Sequence, residues 1–85
     1  MKEYENSHLS SGDLCTAAYG ADDAVYFLYL YDIDNPHRRL YPPFKERDVM
    51  LVLGRIEDET FIDYIVFHPT IGPGRLNIYW VKKLW

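Results

Sequence analysis

The chain predicts an α+β domain: an antiparallel sheet of about four strands with one short N-terminal helix packed on it. Three observations predict it. Apolar, β-branched and aromatic residues gather in four runs, near residues 24–32, 49–55, 60–67 and 75–83. Breakers such as Asn35-Pro36, Pro42-Pro43 and Gly72-Pro73-Gly74 separate most of these runs. Only one segment, near residues 11–19, carries helical spacing.

Residues 1–8 are polar and aperiodic, and they read as a loose arm ahead of a single compact domain over 9–85. Ser10 with Asp13 three residues on resembles an acidic capping box. Leu14, Ala17 and Ala18 then recur at helical spacing, and Gly20 is placed to end a helix. Residues 24–31 follow, with Tyr26, Phe27, Tyr29 and Tyr31 among eight positions. The run is short for a helix and its aromatic density favours a strand. Val25, Phe27, Tyr29 and Tyr31 then face one way, and Tyr26, Leu28 and Leu30 the other.

Residues 37–48 hold Pro42-Pro43, which exclude a regular helix or central strand and imply an ordered loop of polyproline character. The continuous apolar run at 49–55 suits a central strand, and 60–67 its hairpin partner, joined through Glu57, Asp58 and Glu59. Asp63 interrupts an apolar face of that partner. It calls for a cross-strand cation such as Arg47, Arg55 or Arg75. Residues 68–74 read as an irregular connection, and 75–83 as the closing strand, where Leu76, Ile78 and Trp80 alternate with Asn77, Tyr79 and Val81.

Eighty-five residues make one domain, and 48 % hydrophobic with 26 % charged residues is a globular composition rather than a disordered one. The net charge of −4 is uneven. Residues 1–36 set Lys2 against seven acids, a balance of −6 that leaves +2 for the remainder. Cys15 is the sole cysteine, so no intramolecular disulfide forms. The N-terminus has no apolar leader, and the longest apolar runs are about eight residues against the roughly 18 of a membrane span. The reading is a soluble cytoplasmic protein, of the kind a phage encodes to act in a host cell.

Catalysis finds little support. His8, His37, His68 and Cys15 share no short ligand spacing, so no metal is expected. Gly72-Pro73-Gly74 lacks the lysine and helix of a phosphate loop, so no cofactor is expected either. Cys15 with His68 or His37, oriented by Asp63, is the one nucleophile that could be assembled. A cysteine beside Ala17-Ala18 reads more simply as a small buried hydrophobe. The chain is therefore expected not to be an enzyme.

Binding remains. Eight of fourteen aromatics are tyrosines, a residue enriched at interfaces. Tyr26, Tyr29 and Tyr31, flanked by Asp22, Asp23, Asp32 and Asp34, form the expected partner-binding surface. It suits another protein with a basic face. The specific expectation is an inhibitor of a nucleic-acid-handling protein. By size and charge alone it falls beside phage inhibitors, immunity proteins and antitoxins.

Two other classes compete. Arg38, Arg39, Tyr41, Phe44, Lys45 and Arg47 interleave cations with rings as single-strand binders do, although a pI near 5.2 weighs against nucleic acid. A self-associating accessory protein would form a homodimer through a sheet face or edge. The pairing of Arg38 and Arg39 decides what the aromatic run means: edged by unpaired aspartates it is a binding site, and with those aspartates paired it is a packed sheet.

Overall fold

The computed structural model describes residues 9–17 and 28–84. Five strands form one antiparallel sheet: β1 (Leu14–Ala17), β2 (Met50–Glu57), β3 (Ile62–His68), β4 (Gly72–Asn77) and β5 (Val81–Lys83), in the order β4-β3-β2-β1-β5. The only helical element among the described residues is a 3₁₀ turn, Ile78–Trp80. The fold is thus mostly β. No helix among the described residues is long and apolar enough to cross a membrane.

The two middle strands follow their sequence patterns. In β2, Met50 and Val52 point into the core while Leu51 and Leu53 point out. A bulge between Val52 and Gly54 shifts the register against β3. The connecting loop is closed by Asp58, whose Oδ1 accepts the N–H groups of Thr60 (3.0 Å) and Phe61 (2.7 Å).

Three elements depart from the expected layout. The segment expected as a helix is strand β1, held by β2 on one side and β5 on the other. Ser10 and Asp13 do bond reciprocally, Ser10 N–H to Asp13 Oδ2 (2.8 Å) and Asp13 N–H to Ser10 O (2.9 Å). They close a tight turn, because Gly12 takes φ +99°, a conformation outside any helix.

The expected closing strand at 75–83 is two strands. Asn77 Oδ1 accepts the Tyr79 N–H (2.9 Å) and starts the 3₁₀ turn, after which β5 joins the opposite end of the sheet. Only three residues separate β4 from β5, so the sheet must curl until its two ends approach, as a partly closed barrel does. The breaker-rich stretch at 72–74 is itself part of β4.

The third departure concerns the aromatic run. Within its described part, 28–32 is no regular strand but one limb of an irregular hairpin. Phe44 N–H donates to Leu28 O (2.8 Å), Leu40 N–H to Leu30 O (2.8 Å) and Asp32 N–H to Arg38 O (2.9 Å). This hairpin arm, 28–44, lies along the outer edge of β4, where Tyr31 and Arg75 exchange both backbone bonds (3.0 and 2.7 Å). Its alternation is as expected: Leu28 and Leu30 are buried, while Tyr29 and Tyr31 lie half-buried on the other side. The arm at 1–8, the helix end at 18–19 and strand residues 24–27 fall outside the described residues.

The core joins Leu28, Leu30 and Phe44 of the arm to Cys15, Met50, Val52, Tyr64, Val66, Leu76, Ile78 and Val81. His68, the last residue of β3, ties down the segment that follows the arm. Its Nδ1 accepts N–H bonds from Thr70 (3.0 Å) and Ile71 (3.3 Å), so Nε2 carries the proton and donates to Asp48 (2.7 Å).

Partial desolvation pushes the Asp48 carboxyl up, but hydrogen bonds from His68 and the Lys45 N–H outweigh it and hold the group below its ordinary 3.8. Asp58 is lowered too, first by the Phe61 and Thr60 N–H bonds. A carboxyl lowered by folding lends stability that is complete above the unfolded value and disappears as pH falls through the folded one. The share of the thermal midpoint owed to these two carboxyls is therefore expected to hold down to about pH 5 and to decline below that, with Asp48→Asn flattening the decline. Calorimetry across that range checks it.

Candidate functional site

Where the arm, the β2–β3 loop and the 3₁₀ turn meet, they enclose an open cleft of about 710 Å³. Its walls are mostly rings, with Tyr31, Pro36 and His37 from the arm, Phe61 from the loop, Tyr79 and Trp80 from the turn, and the arm adds the cation Arg39. His37 meets Phe61 edge-on with ring centroids 5.6 Å apart. Tyr79 and Trp80 are 47 % and 44 % exposed, which is high for rings of that size in a folded domain. A 3₁₀ turn directs successive side chains outward over three residues, and Ile78 alone turns back into the core.

Beneath the rings lies a buried ion pair. Arg75 Nε donates to Asp63 Oδ2 at 2.8 Å, and each side chain keeps under a tenth of its exposure. Of the three candidate cations for Asp63, Arg75 is the one that pairs; it sits diagonally across β3 and β4. The same guanidinium donates to Ile33 O in the arm (3.3 Å) and to Asp58 Oδ2 in the loop (3.5 Å). One side chain thus fastens two of the three walls to the sheet.

Of the expected partner surface, Tyr31 lines the cleft, while Tyr29 sits beside it under Arg39, whose guanidinium lies 4.7 Å from the ring centroid. Tyr41 meets Tyr29 edge-on at 5.3 Å. Hydrogen bonding to Tyr31 first, and then to Tyr41, holds Arg39 in its charged form beyond the ordinary value. Asp32 pairs with Arg38 (3.5 Å) and accepts the Asp34 N–H, whereas Asp34 is exposed. Tyr26, Asp22 and Asp23 lie outside the described residues.

The two arginines therefore divide, Arg38 to an aspartate and Arg39 to a tyrosine cluster. The basic–aromatic set is not assembled as one surface. Phe44 is buried in the core, and Lys45 and Arg47 sit exposed on a separate turn.

Neither of the weighed catalytic sets comes together. Asp63 is committed to Arg75, and both ring nitrogens of His68 are engaged, leaving no lone pair to act as a base. Burial first, and then the charge of Asp13, push the Cys15 thiol up to about 11. In the folded protein Cys15 is expected to resist an aromatic disulfide reagent at pH 8, and to react stoichiometrically once urea unfolds the chain. A fast native reaction would contradict its burial. No group of three His, Cys, Asp or Glu suited to a metal occurs among the described residues.

No family model, curated protein or solved structure matches the chain. The site therefore stands on its geometry. The sequence offered a signal for the cleft that was passed over: Asn77 before Ile78-Tyr79-Trp80 is a capping residue ahead of a short turn. Read that way, Tyr79 and Trp80 leave the sheet and become surface rings.

Proposed function

We propose that the chain is a non-catalytic protein-binding domain that grips its partner in the aromatic cleft. The observation that carries this reading is the convergence of Tyr31, Phe61, Tyr79 and Trp80 on one open concavity. Aromatic rings desolvated at the centre of an interface supply most of its binding energy, and rigid ones lose little entropy on binding. The partner surface is thus shifted from the expected row of tyrosines and aspartates, with Tyr31 common to both. The reading of an inhibitor acting on a basic partner draws on the exposed Asp34, Asp58 and Glu59 of the arm and the loop, which stand outside the cleft's lining.

The test compares the wild-type chain with Tyr79→Ala and Phe61→Ala in quantitative capture from the native host. Arg47→Ala, exposed on a turn apart from the cleft, is the control. A partner retained by wild type and Arg47→Ala but depleted at least tenfold by both cleft variants is expected. Equal retention by all four would place binding elsewhere.

A self-association reading draws on a different observation: Val49, Leu51, Leu53 and Phe67 are all at least 36 % exposed on β2, its leading residue and β3. Leu51 and Phe67 lie directly opposite each other on the outer sheet face. Concentration-dependent sedimentation, abolished by Leu51→Asp, would support it.

A further inference from the structure

Resting on the protein-binding reading of the cleft, we propose that Arg39 is an anion anchor: it takes the carboxylate of an Asp or Glu presented by the partner protein. The first argument is that Arg39 carries a charge the chain leaves unanswered. Of the Asp, Glu, Lys and Arg side chains lining the cleft, Asp63 and Arg75 neutralise each other at 2.8 Å, and Arg39 is left. Arg39 makes no ion pair among the described residues, although its neighbour Arg38 holds Asp32. An arginine at the centre of an interface is a frequent source of binding energy, and its natural counterpart is an acid on the partner.

The second argument is that the fold fixes where this charge stands. Arg39 lies opposite Tyr31 in the arm, between the bonds from Asp32 N–H to Arg38 O and from Leu40 N–H to Leu30 O. Its guanidinium is seated 4.7 Å from the Tyr29 ring centroid, and Tyr41 braces that ring edge-on at 5.3 Å. A free surface arginine loses rotamer freedom when it binds, and one already seated on a ring loses less. A cation over a ring keeps its charge, and five N–H donors exceed what the hydroxyls of Tyr31 and Tyr41 can accept. The side chain is exposed, and a guanidinium is a planar fork that meets a carboxylate through two parallel bonds.

The third argument separates a single acid from a polyanion. A nucleic-acid strand is held by a row of cations, each neutralising a phosphate. No such row extends from Arg39: Arg38 is paired, and Lys45 and Arg47 sit on a separate turn. The exposed Asp34, Asp58 and Glu59 of the arm and the loop would repel further phosphates. A lone cation on a surface that is otherwise acidic suits a protein partner, whose charges alternate, and it sets the orientation in which that partner docks.

The experiment selects random dodecapeptides displayed on phage against the full 85-residue chain. The consensus peptide and a version with its acid changed to the amide are then titrated into wild type and Arg39→Gln, beside a twelve-residue oligothymidylate. One acidic position is expected in the consensus. Its neutralisation should weaken binding to wild type at least tenfold and leave binding to Arg39→Gln unchanged. Arg39→Lys should recover only part of the loss, because an ammonium lacks the fork. Thermal unfolding of Arg39→Gln should match wild type, as expected for an exposed side chain, which separates lost binding from lost fold. Peptides that bind Arg39→Gln as tightly as wild type would overturn the anchor, and their loss on Tyr79→Ala would leave the cleft reading standing. Oligothymidylate binding tighter than the peptide, with a steep loss in salt, would overturn the carboxylate in favour of nucleic acid. No enrichment of any peptide would overturn both the anchor and the cleft reading.

Discussion

Replacing Arg75 by methionine is expected to remove about 3–5 kcal/mol of stability, because it strands the Asp63 carboxylate in the interior without its counter-charge. For a domain whose total stability is of order 5–15 kcal/mol, that is a large fraction. At about 4–8 °C per kcal/mol for a chain of this size, the thermal midpoint should drop by about 12 °C or more. The loss has a second part, since the guanidinium also holds Ile33 O and Asp58. Asp63→Leu combined with Arg75→Met removes both charges at once. It should recover most of the loss, because an apolar pair of similar volume avoids the desolvation penalty that the ions carry. What it does not recover measures the tether to the arm and the loop. Urea unfolding followed by tryptophan fluorescence gives all three values. A single variant within 1 kcal/mol of wild type would show that the pair is not sealed from water.

That ion pair was legible in the sequence because a lone acid on an apolar strand face has few remedies. The hairpin of β2 and β3 was legible for a related reason: both strands carry long, strongly patterned apolar runs, and three acids mark the turn. The expected spans of 49–55 and 60–67 differ from Met50–Glu57 and Ile62–His68 by one or two residues at each end.

Where the sequence reading departed, short segments were governed by partners far along the chain. Leu14–Ala17 has only four residues, and its weak local preference is overridden by two neighbouring strands. Leu14, Ala17 and Ala18 satisfy helical spacing, yet Cys15, Thr16 and Ala17 are buried in succession, as in a strand covered on both faces, which leaves no alternation to read. The alternation expected over 75–83 fails after Asn77: Trp80, expected beside the buried Leu76 and Ile78, is exposed, and Val81, expected on the other face, is buried. The 3₁₀ turn at Ile78–Trp80 shifts the phase, so Val81 and not Trp80 returns to the core as the chain changes edges. The cleft shares that origin. Its walls come from three separated segments, and only the curling of the sheet brings Pro36, Phe61 and Trp80 together.

Gly74→Ala tests the arm directly. A Cβ at residue 74 would lie 2.8 Å from Leu30 Cβ, 3.1 Å from Leu40 Cδ1 and 3.1 Å from Tyr31 O. Two of these are close to the backbone and cannot swing away, and Leu30 is fully buried. Relief requires the arm to lift from β4, at about 1–3 kcal/mol for overpacking a closed site. Gly54→Ala supplies the contrast, since nothing lies within 4 Å of its added carbon. It should leave stability unchanged or raise it by a few tenths of a kcal/mol through the unfolded chain.

The two variants thus separate the effect of a methyl group on a strand from the effect of a methyl group under the arm. Lifting the arm also breaks the paired Tyr31–Arg75 backbone bonds and carries Tyr31, Pro36 and His37 away from Phe61 and Tyr79. Gly74→Ala should therefore weaken partner binding in the cleft even at temperatures where the domain remains folded, a loss that Gly54→Ala does not share. Hydrogen exchange should report the same event as faster exchange of the Tyr31 and Arg75 amides, with β2 and β3 unaffected. Equal protection in both variants would mean that the arm does not depend on Gly74 for its seat, and that the cleft is built without it.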